Sequence, residues 1–257
     1  SVTEVHQEES EWKLIKSYVT PDRVEVLFSA SRSHSDGNGV QDGLLVFRGS
    51  TEPKLKLILD EATKPPIAVG WDSDAFTTVH RSGEMIRWNR DSGKKLKEAR
   101  LDISPELLRD GLIDEGSVFT LSAEGSLRRH NSETGSTILA NSDLGFQPRS
   151  LSSPGKNDLI VLGLRGEVAL VNRGNLQILW KRPPMSSLVG LVRIRNSGHL
   201  LLGHSDGGLE LVSLENGASL AKLPTSYGTI QEMEVSPDGS KLFLRVDQGD
   251  VVSFEVK

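Results

Sequence analysis

Leu191-Val192-Arg193-Ile194 runs to Asn196-Ser197-Gly198, Leu200-Leu201-Leu202-Gly203 to Asp206-Gly207, Leu209-Glu210-Leu211-Val212 to Asn216-Gly217, and Ser219-Leu220-Ala221-Lys222-Leu223 to Pro224. Four short apolar runs, each closed by Gly, Asn, Asp or Pro, predict four strands in an antiparallel meander. A helix would need about ten or more residues at a 3.6-residue period, which these runs do not reach.

The same unit recurs along the chain. Gly43, Gly83, Gly125, Gly166, Gly207 and Gly249 precede its third run, at gaps of 40, 42, 41, 41 and 42 residues. Phe47, Trp88, His130, Val171, Val212 and Phe254 keep the same step, and the next residues are Arg48, Asn89, Asn131, Asn172, Ser213 and Glu255. Even spacing means stacked copies of one supersecondary unit. The third runs, such as Val168-Ala169-Leu170-Val171, are apolar almost throughout and predict strands buried on both faces. The fourth runs are half polar, as in Lys54–Leu59 and Lys94–Lys97, which suits an outer edge that must not pair with strangers. Four-stranded sheets of this kind packed around an axis make a β-propeller. The one helix-like stretch, Ser104–Gly111, overlays on a first strand at 107–113.

Two sets of residues resemble the WD-repeat family. Gly83 to Leu96, GEMIRWNRDSGKKL, looks like the third and fourth strands of a WD-repeat blade, with Trp88 the one retained tryptophan and Asn89 in place of the usual Asp after it. Ser236-Pro237-Asp238-Gly239-Ser240-Lys241-Leu242 looks like that family's turn between first and second strands, and Thr20-Pro21-Asp22 is a fainter copy. Asn131-Ser132-Glu133-Thr134-Gly135 also resembles repeats of pyrroloquinoline-quinone-type propellers.

The expectation is an all-β fold: one domain over residues 1–257, a closed six-bladed β-propeller of four-stranded antiparallel blades. The sixth copy stops after its third strand, at Phe254-Glu255-Val256-Lys257, and Ser1–His6 alternates like a strand. The last blade is therefore expected to be completed by the N-terminal strand. Copy one carries an insert within Ser31–Gln41, expected to be a mobile loop; without it six copies fill the chain at the observed period.

Composition narrows the function. A formal net charge of −5, from 30 basic and 35 acidic residues in mixed order, argues against nucleic acid as a partner. The absence of cysteine excludes disulfides, thiolate metal sites and a Cys nucleophile. No apolar run is long enough for a membrane span, and the N-terminus has no apolar signal core. The compartment stays open, with the cytoplasm favoured over the periplasm or a lumen.

Three motifs read as chemistry. Gly203-His204-Ser205-Asp206-Gly207 matches G-x-S-x-G, but the next element is another strand rather than a helix, and no histidine lies downstream of Ser205. The overlay makes it a turn. Ser33–Gly39 resembles a calcium loop with Asp36 and Asn38 as oxygen ligands, but Val40 and Phe47 fall where further ligands are needed. His130, in the Trp88 position, is a packing residue, as are Trp12, Trp71 and Trp180. Lys64-Pro65-Pro66 and Arg182-Pro183-Pro184 stiffen the connections between copies.

The reading is a non-catalytic interaction platform for a protein or peptide, a monomeric propeller within a larger protein or complex, with no cofactor and no metal. In WD-repeat relatives, the face formed by the turns between second and third strands and by the connections between blades commonly carries partners. Carried onto this chain, that face holds His34, Asp36, Asn38, Lys64, Pro65, Pro66, Arg81, Arg165, Arg182, Asp206 and Gln248. The alternative is a six-bladed, calcium-dependent hydrolase or lactonase with an ion in the central channel.

Overall fold

The computed structural model describes residues 4–7, 10–19, 25–33, 40–48, 54–59, 66–103, 108–114, 116–141, 143–194, 197–225, 228–236 and 240–255. Strands β1 (Glu4–Gln7), β2 (Ser10–Val19), β3 (Glu25–Ser33), β4 (Val40–Arg48) and β5 (Lys54–Leu59) form the first sheet, in that order. Next come β6 (Pro66–Trp71), β7 (Ala75–His80), β8 (Glu84–Asn89) and β9 (Lys95–Arg100). The third sheet is β10 (Leu108–Asp114), β11 (Ser117–Ser122), β12 (Leu127–Asn131) and β13 (Thr137–Asn141). The fourth is β14 (Pro148–Gly155), β15 (Asp158–Gly163), β16 (Val168–Asn172) and β17 (Ile178–Arg182). The fifth is β18 (Leu188–Arg193), β19 (His199–His204), β20 (Gly208–Ser213) and β21 (Ser219–Pro224). A sheet of β22 (Glu232–Val235), β23 (Lys241–Arg245) and β24 (Val251–Glu255) ends the described chain. The helix-like stretch resolves as expected, since β10 begins at Leu108.

Two expectations are corrected. The N-terminal strand does not complete the last sheet: β1 pairs with β2, Val5 opposite Trp12, and is the fifth strand of the first sheet. Two residues separate β1 from β2, so this hairpin closes a minimal loop, whereas the expected pairing joins opposite ends of the chain. The insert in copy one is not a loop throughout. β3 and β4 extend into it, with Ser31 opposite Asp42, Arg32 opposite Gln41 and Ser33 opposite Val40. Prolonging a formed ladder fixes few residues for each backbone bond gained, so the hairpin grows rather than splaying. The middle of the insert, with His34, Asp36 and Asn38, lies outside the described residues.

The chain divides into two compact units, Ser1–Ser122 with Arg128–Ile138, and Ala123–Leu127 with Leu139–Lys257. In the first, Ile67, Ala68, Val79, Met85, Leu101, Leu108 and Val118 form a core. The first strands of neighbouring sheets approach closely there, because Gly70 leaves room for Ile113, and Gly111 for Ala68. In the second unit, Ile160, Leu162, Val168, Leu170, Leu188, Leu200, Leu202, Val212 and Leu214 form one core, and Leu201, Leu209, Ile230, Met233, Leu242, Leu244 and Val246 another. Each fully buried aliphatic side chain contributes about 1.5–3 kcal/mol of transfer free energy, before entropy costs. The expected contrast between strands holds in the fourth sheet: Val168, Ala169, Leu170 and Val171 of β16 are buried, while Leu179 and Lys181 of the outer strand β17 are exposed.

The repeated glycines have a conformational cause. Gly83, Gly125, Gly166, Gly207 and Gly249 all have φ between 82° and 95°, in the left-handed region. They sit in the turns between second and third strands. In three copies the glycine carbonyl accepts the N–H of the connection leaving the fourth strand: Leu101 to Gly83 (2.8 Å), Leu144 to Gly125 (3.3 Å) and Thr225 to Gly207 (3.3 Å). At Gly166 a Cβ would collide with the Met185 carbonyl. Gly166→Ala is expected to cost about 2–4 kcal/mol, from left-handed strain plus this clash. Gly198→Ala, where a Cβ meets nothing within 4 Å, should change stability by under about 0.5 kcal/mol. Urea midpoints of the two variants check this.

The asparagines after the third strands also have a local cause. Asn89 Oδ1 accepts the N–H groups of Asp91 (3.1 Å) and Ser92 (2.8 Å), Asn131 Oδ1 those of Glu133 (2.8 Å) and Thr134 (2.9 Å), and Asn172 Oδ1 those of Gly174 (2.9 Å) and Asn175 (3.2 Å). A short side-chain acceptor two and three residues upstream closes the turn into the fourth strand.

Candidate interaction site

In the second unit, turns and connections open into a cleft of about 440 Å³. Glu124 comes from the turn between β11 and β12, and Asp143, Gly145, Phe146 and Gln147 from the connection into β14. Leu164 and Arg165 come from the turn between β15 and β16, and Glu167 closes that turn just before β16. The Leu164 N–H donates to the Gln147 carbonyl at 2.9 Å and fixes one wall against the other. Leu164 is 46% exposed in that turn.

Glu167 is buried, and its carboxylate is fully engaged. Oε1 accepts from Arg165 Nε at 2.9 Å and lies 2.8 Å from Arg165 Nη2, and Oε2 accepts the Arg165 N–H at 3.0 Å. Burial pushes its pKa up, but backbone hydrogen bonds and the Arg165 guanidinium overcome that and hold it below the ordinary carboxylate value. Glu167 therefore stays ionised and tethers the exposed Arg165. Glu124 and Asp143 on the rim are exposed, and neither has an ion pair with a described residue.

A second polar cluster lies inside the unit. Arg182 Nη2 donates to Glu210 Oε1 at 2.7 Å, with 16% and 4% of the two side chains exposed. Burial pushes the Glu210 carboxyl up; hydrogen bonds from Arg182 and Ser219, and the charges of Arg182 and Lys222, bring it below its ordinary value. His204 Nε2 stands 3.5 Å from Glu210 Oε2, and its Nδ1 is 2.9 Å from Ser187 Oγ. Serine, histidine and carboxylate are the residue types of a hydrolase relay, but the short bond of this carboxylate goes to Arg182. The cluster reads as a buried ion pair with a histidine beside it.

In the first unit, Trp88 and His130 occupy equivalent positions and bond to equivalent threonines. Trp88 Nε1 donates to Thr78 Oγ1 at 2.9 Å, and His130 Nε2 lies 2.9 Å from Thr120 Oγ1. The polarity of the second bond is reversed. Thr137 donates its one hydroxyl proton to the Asp102 carbonyl (2.8 Å) and, 3.2 Å from His130 Nδ1, is left to accept from it. Nδ1 therefore carries the proton, and Nε2 accepts from Thr120. Both ring nitrogens of the neutral form are satisfied, which bears out the reading of His130 as a packing residue.

Burial, aided by the Arg128 charge and opposed by the Gly135 backbone hydrogen bond and Asp102, pushes the pKa of His130 down to about 4. The unfolded chain takes up this proton near pH 6.5 and the folded chain near pH 4. The contribution to stability is complete above pH 6.5 and is lost as pH falls between those values, by on the order of 3 kcal/mol. Urea unfolding between pH 7 and pH 4 should show this loss in the parent and a flatter profile in His130→Gln.

The predicted site residues divide. Arg81, Arg165 and Asp206 are exposed in the turns between second and third strands, each within its own unit, and Gln248 lies in the 3-10 turn Asp247–Gly249 at the equivalent place. Arg182 is not displayed to solvent, because a nearly buried carboxylate claims it. Pro66 is buried at the start of β6. Lys64 and Pro65 lie outside the described residues. Sequence reasoning missed Glu124, although it holds the same turn position as Arg165 and Asp206, and missed Leu164, whose apolar side chain in a polar turn was the available signal. Among the described residues no group of three or more His, Asp or Glu side chains could hold a metal ion, and no helix is long and apolar enough to cross a membrane.

Residues 152–238 match the model of the anaphase-promoting complex subunit 4 WD40 domain. The fold is that of a WD-repeat-like β-propeller. Solved structures match it in fold. A chain of the crystal structure of the mitotic checkpoint complex matches 98% of this chain with 76% of its own, at a TM-score of 0.73 and 11% identity. The crystal structure of the computationally designed Ika8 protein matches 99% with 83% of its own, at a TM-score of 0.69 and 13% identity. The C-terminal WD40 domain of Sif2 matches 96% with 82% of its own, at a TM-score of 0.64 and 12% identity. No curated protein matches by sequence.

Proposed function

We propose that the chain is a non-catalytic protein-interaction platform: one six-bladed ring over residues 1–257, monomeric, working within a larger assembly. The observation that supports this reading is the cleft of about 440 Å³ formed by turns and connections, the kind of element that commonly carries partners in WD-repeat relatives. Likeness to a WD40 domain of the anaphase-promoting complex and to a chain of the mitotic checkpoint complex supports a place in an assembly. Rigid strands carry the loops, so a partner would bind without ordering the scaffold. Arg81, Arg165, Asp206 and Gln248 are the contact residues of this proposal, with His34, Asp36, Asn38, Lys64 and Pro65 beyond the described residues.

The test is affinity capture and cross-linking with the intact chain. A partner held by the parent and lost by Arg81→Glu combined with Asp206→Lys, both folded, is the expected result. A partner that survives these changes and cross-links only to the outer strands would refute a platform on this face. Light scattering checks the monomer.

A further inference from the structure

We infer that the cleft of Glu124, Asp143, Phe146, Leu164, Arg165 and Glu167 receives a lysine or arginine side chain, together with an adjoining apolar one, from an extended segment of a partner protein. This rests on the platform reading and specifies the chemistry of one part of it.

Three observations carry the inference. The first is charge. Arg165 and Glu167 neutralise each other through two nitrogens and one carboxylate, which leaves the two rim carboxylates of Glu124 and Asp143 against one further cation. Lys181, the other cation nearby, donates to the Leu144 carbonyl at 3.0 Å beside Gly145, and counting it still leaves the cleft net negative. The second is the wall. Leu164 is 46% exposed, and half-buried Phe146 lines the cleft with it, so an aliphatic side chain has apolar surface to cover. The third is fixity. The 2.9 Å bond from Leu164 to Gln147 and the 3.3 Å bond from Leu144 to Gly125 tie the turns to the connection, so the carboxylates and the apolar wall stand on a braced frame. An acidic partner segment would meet Glu124 and Asp143 with like charge.

The test uses four acetylated, amidated tetrapeptides, Gly-Leu-X-Gly with X as Arg, Lys, Gln or Glu, titrated into the ¹⁵N-labelled intact chain. The Arg and Lys peptides should move the amide resonances of Gly145, Phe146 and Leu164, with dissociation constants on the order of 10 mM, roughly what one exposed ion pair and one leucine supply. The Gln peptide should bind about fivefold more weakly and the Glu peptide more weakly still. Glu124→Gln with Asp143→Asn should bring the Arg peptide down to the Gln peptide, and Leu164→Ser should weaken all four. Equal binding of the Gln or Glu peptides, shifts confined to another part of the chain, or an unchanged affinity in the folded double variant would each overturn the inference. A captured partner retained by the double variant would overturn it too and leave the platform reading standing; a partner lost in the double variant supports both.

Discussion

Arg182→Ala is expected to cost about 3–5 kcal/mol. The charge removed is not a surface one. It leaves Glu210, with a side chain only 4% exposed, without its 2.7 Å partner. His204, at 3.5 Å, is too far to replace it. Three results should agree. The urea midpoint of Arg182→Ala should fall steeply at pH 7. The penalty should shrink as pH drops, because the orphaned carboxylate can then be protonated. Arg182→Leu combined with Glu210→Leu should recover most of the loss, since replacing both members of a buried pair removes the uncompensated charge. A small loss at pH 7 would mean that Arg182 faces water, as the sequence alone led one to expect.

Trp88→Ala should lose a similar amount, about 3–5 kcal/mol, through the cavity it opens. Trp88 is 2% exposed, stacks 6.3 Å from Phe76 between ring centroids, and holds Thr78 by its indole N–H. Trp88→Phe separates the two roles: it fills much of the space but removes the indole donor, leaving Thr78 Oγ1 with His80 Nε2 at 3.0 Å, for about 1–2 kcal/mol. Thermal and urea unfolding of the pair gives the comparison. Equal losses would assign the whole effect to the hydrogen bond, and no loss with phenylalanine would assign it to packing.

These two residues mark how far the sequence could be read. Trp88 was legible as core because its role is set by the repeat: position in the period fixes which face a side chain occupies, and the strand alternation does the rest. His130 was legible the same way, although its bonds to Thr120 and Thr137 were not. Arg182 was misread, because it stands at the end of a half-polar outer strand whose neighbours Lys181 and Pro183 are exposed. Only the side-chain contact with Glu210 on β20 of the next sheet, across 28 residues, turns that arginine inward. Glu124 and Leu164 were missed for a related reason. Each is an ordinary turn residue in its own copy, and they line one cleft only when neighbouring sheets bring their turns together.

The sequence by itself determined the strands, their period, the left-handed glycine turns and the asparagine-closed turns. Each of these depends on residues within one copy, where backbone sterics and short side-chain bonds act at fixed separations. The tertiary structure decided where the N-terminal strand pairs, how far the first hairpin extends into its insert, which charges are buried and which turns share a cleft. These depend on competition between distant surfaces for the same partner. A local hairpin wins β1 because its loop is short, and Glu210 wins Arg182 because a buried carboxylate without a cation is far more costly than an arginine withdrawn from water.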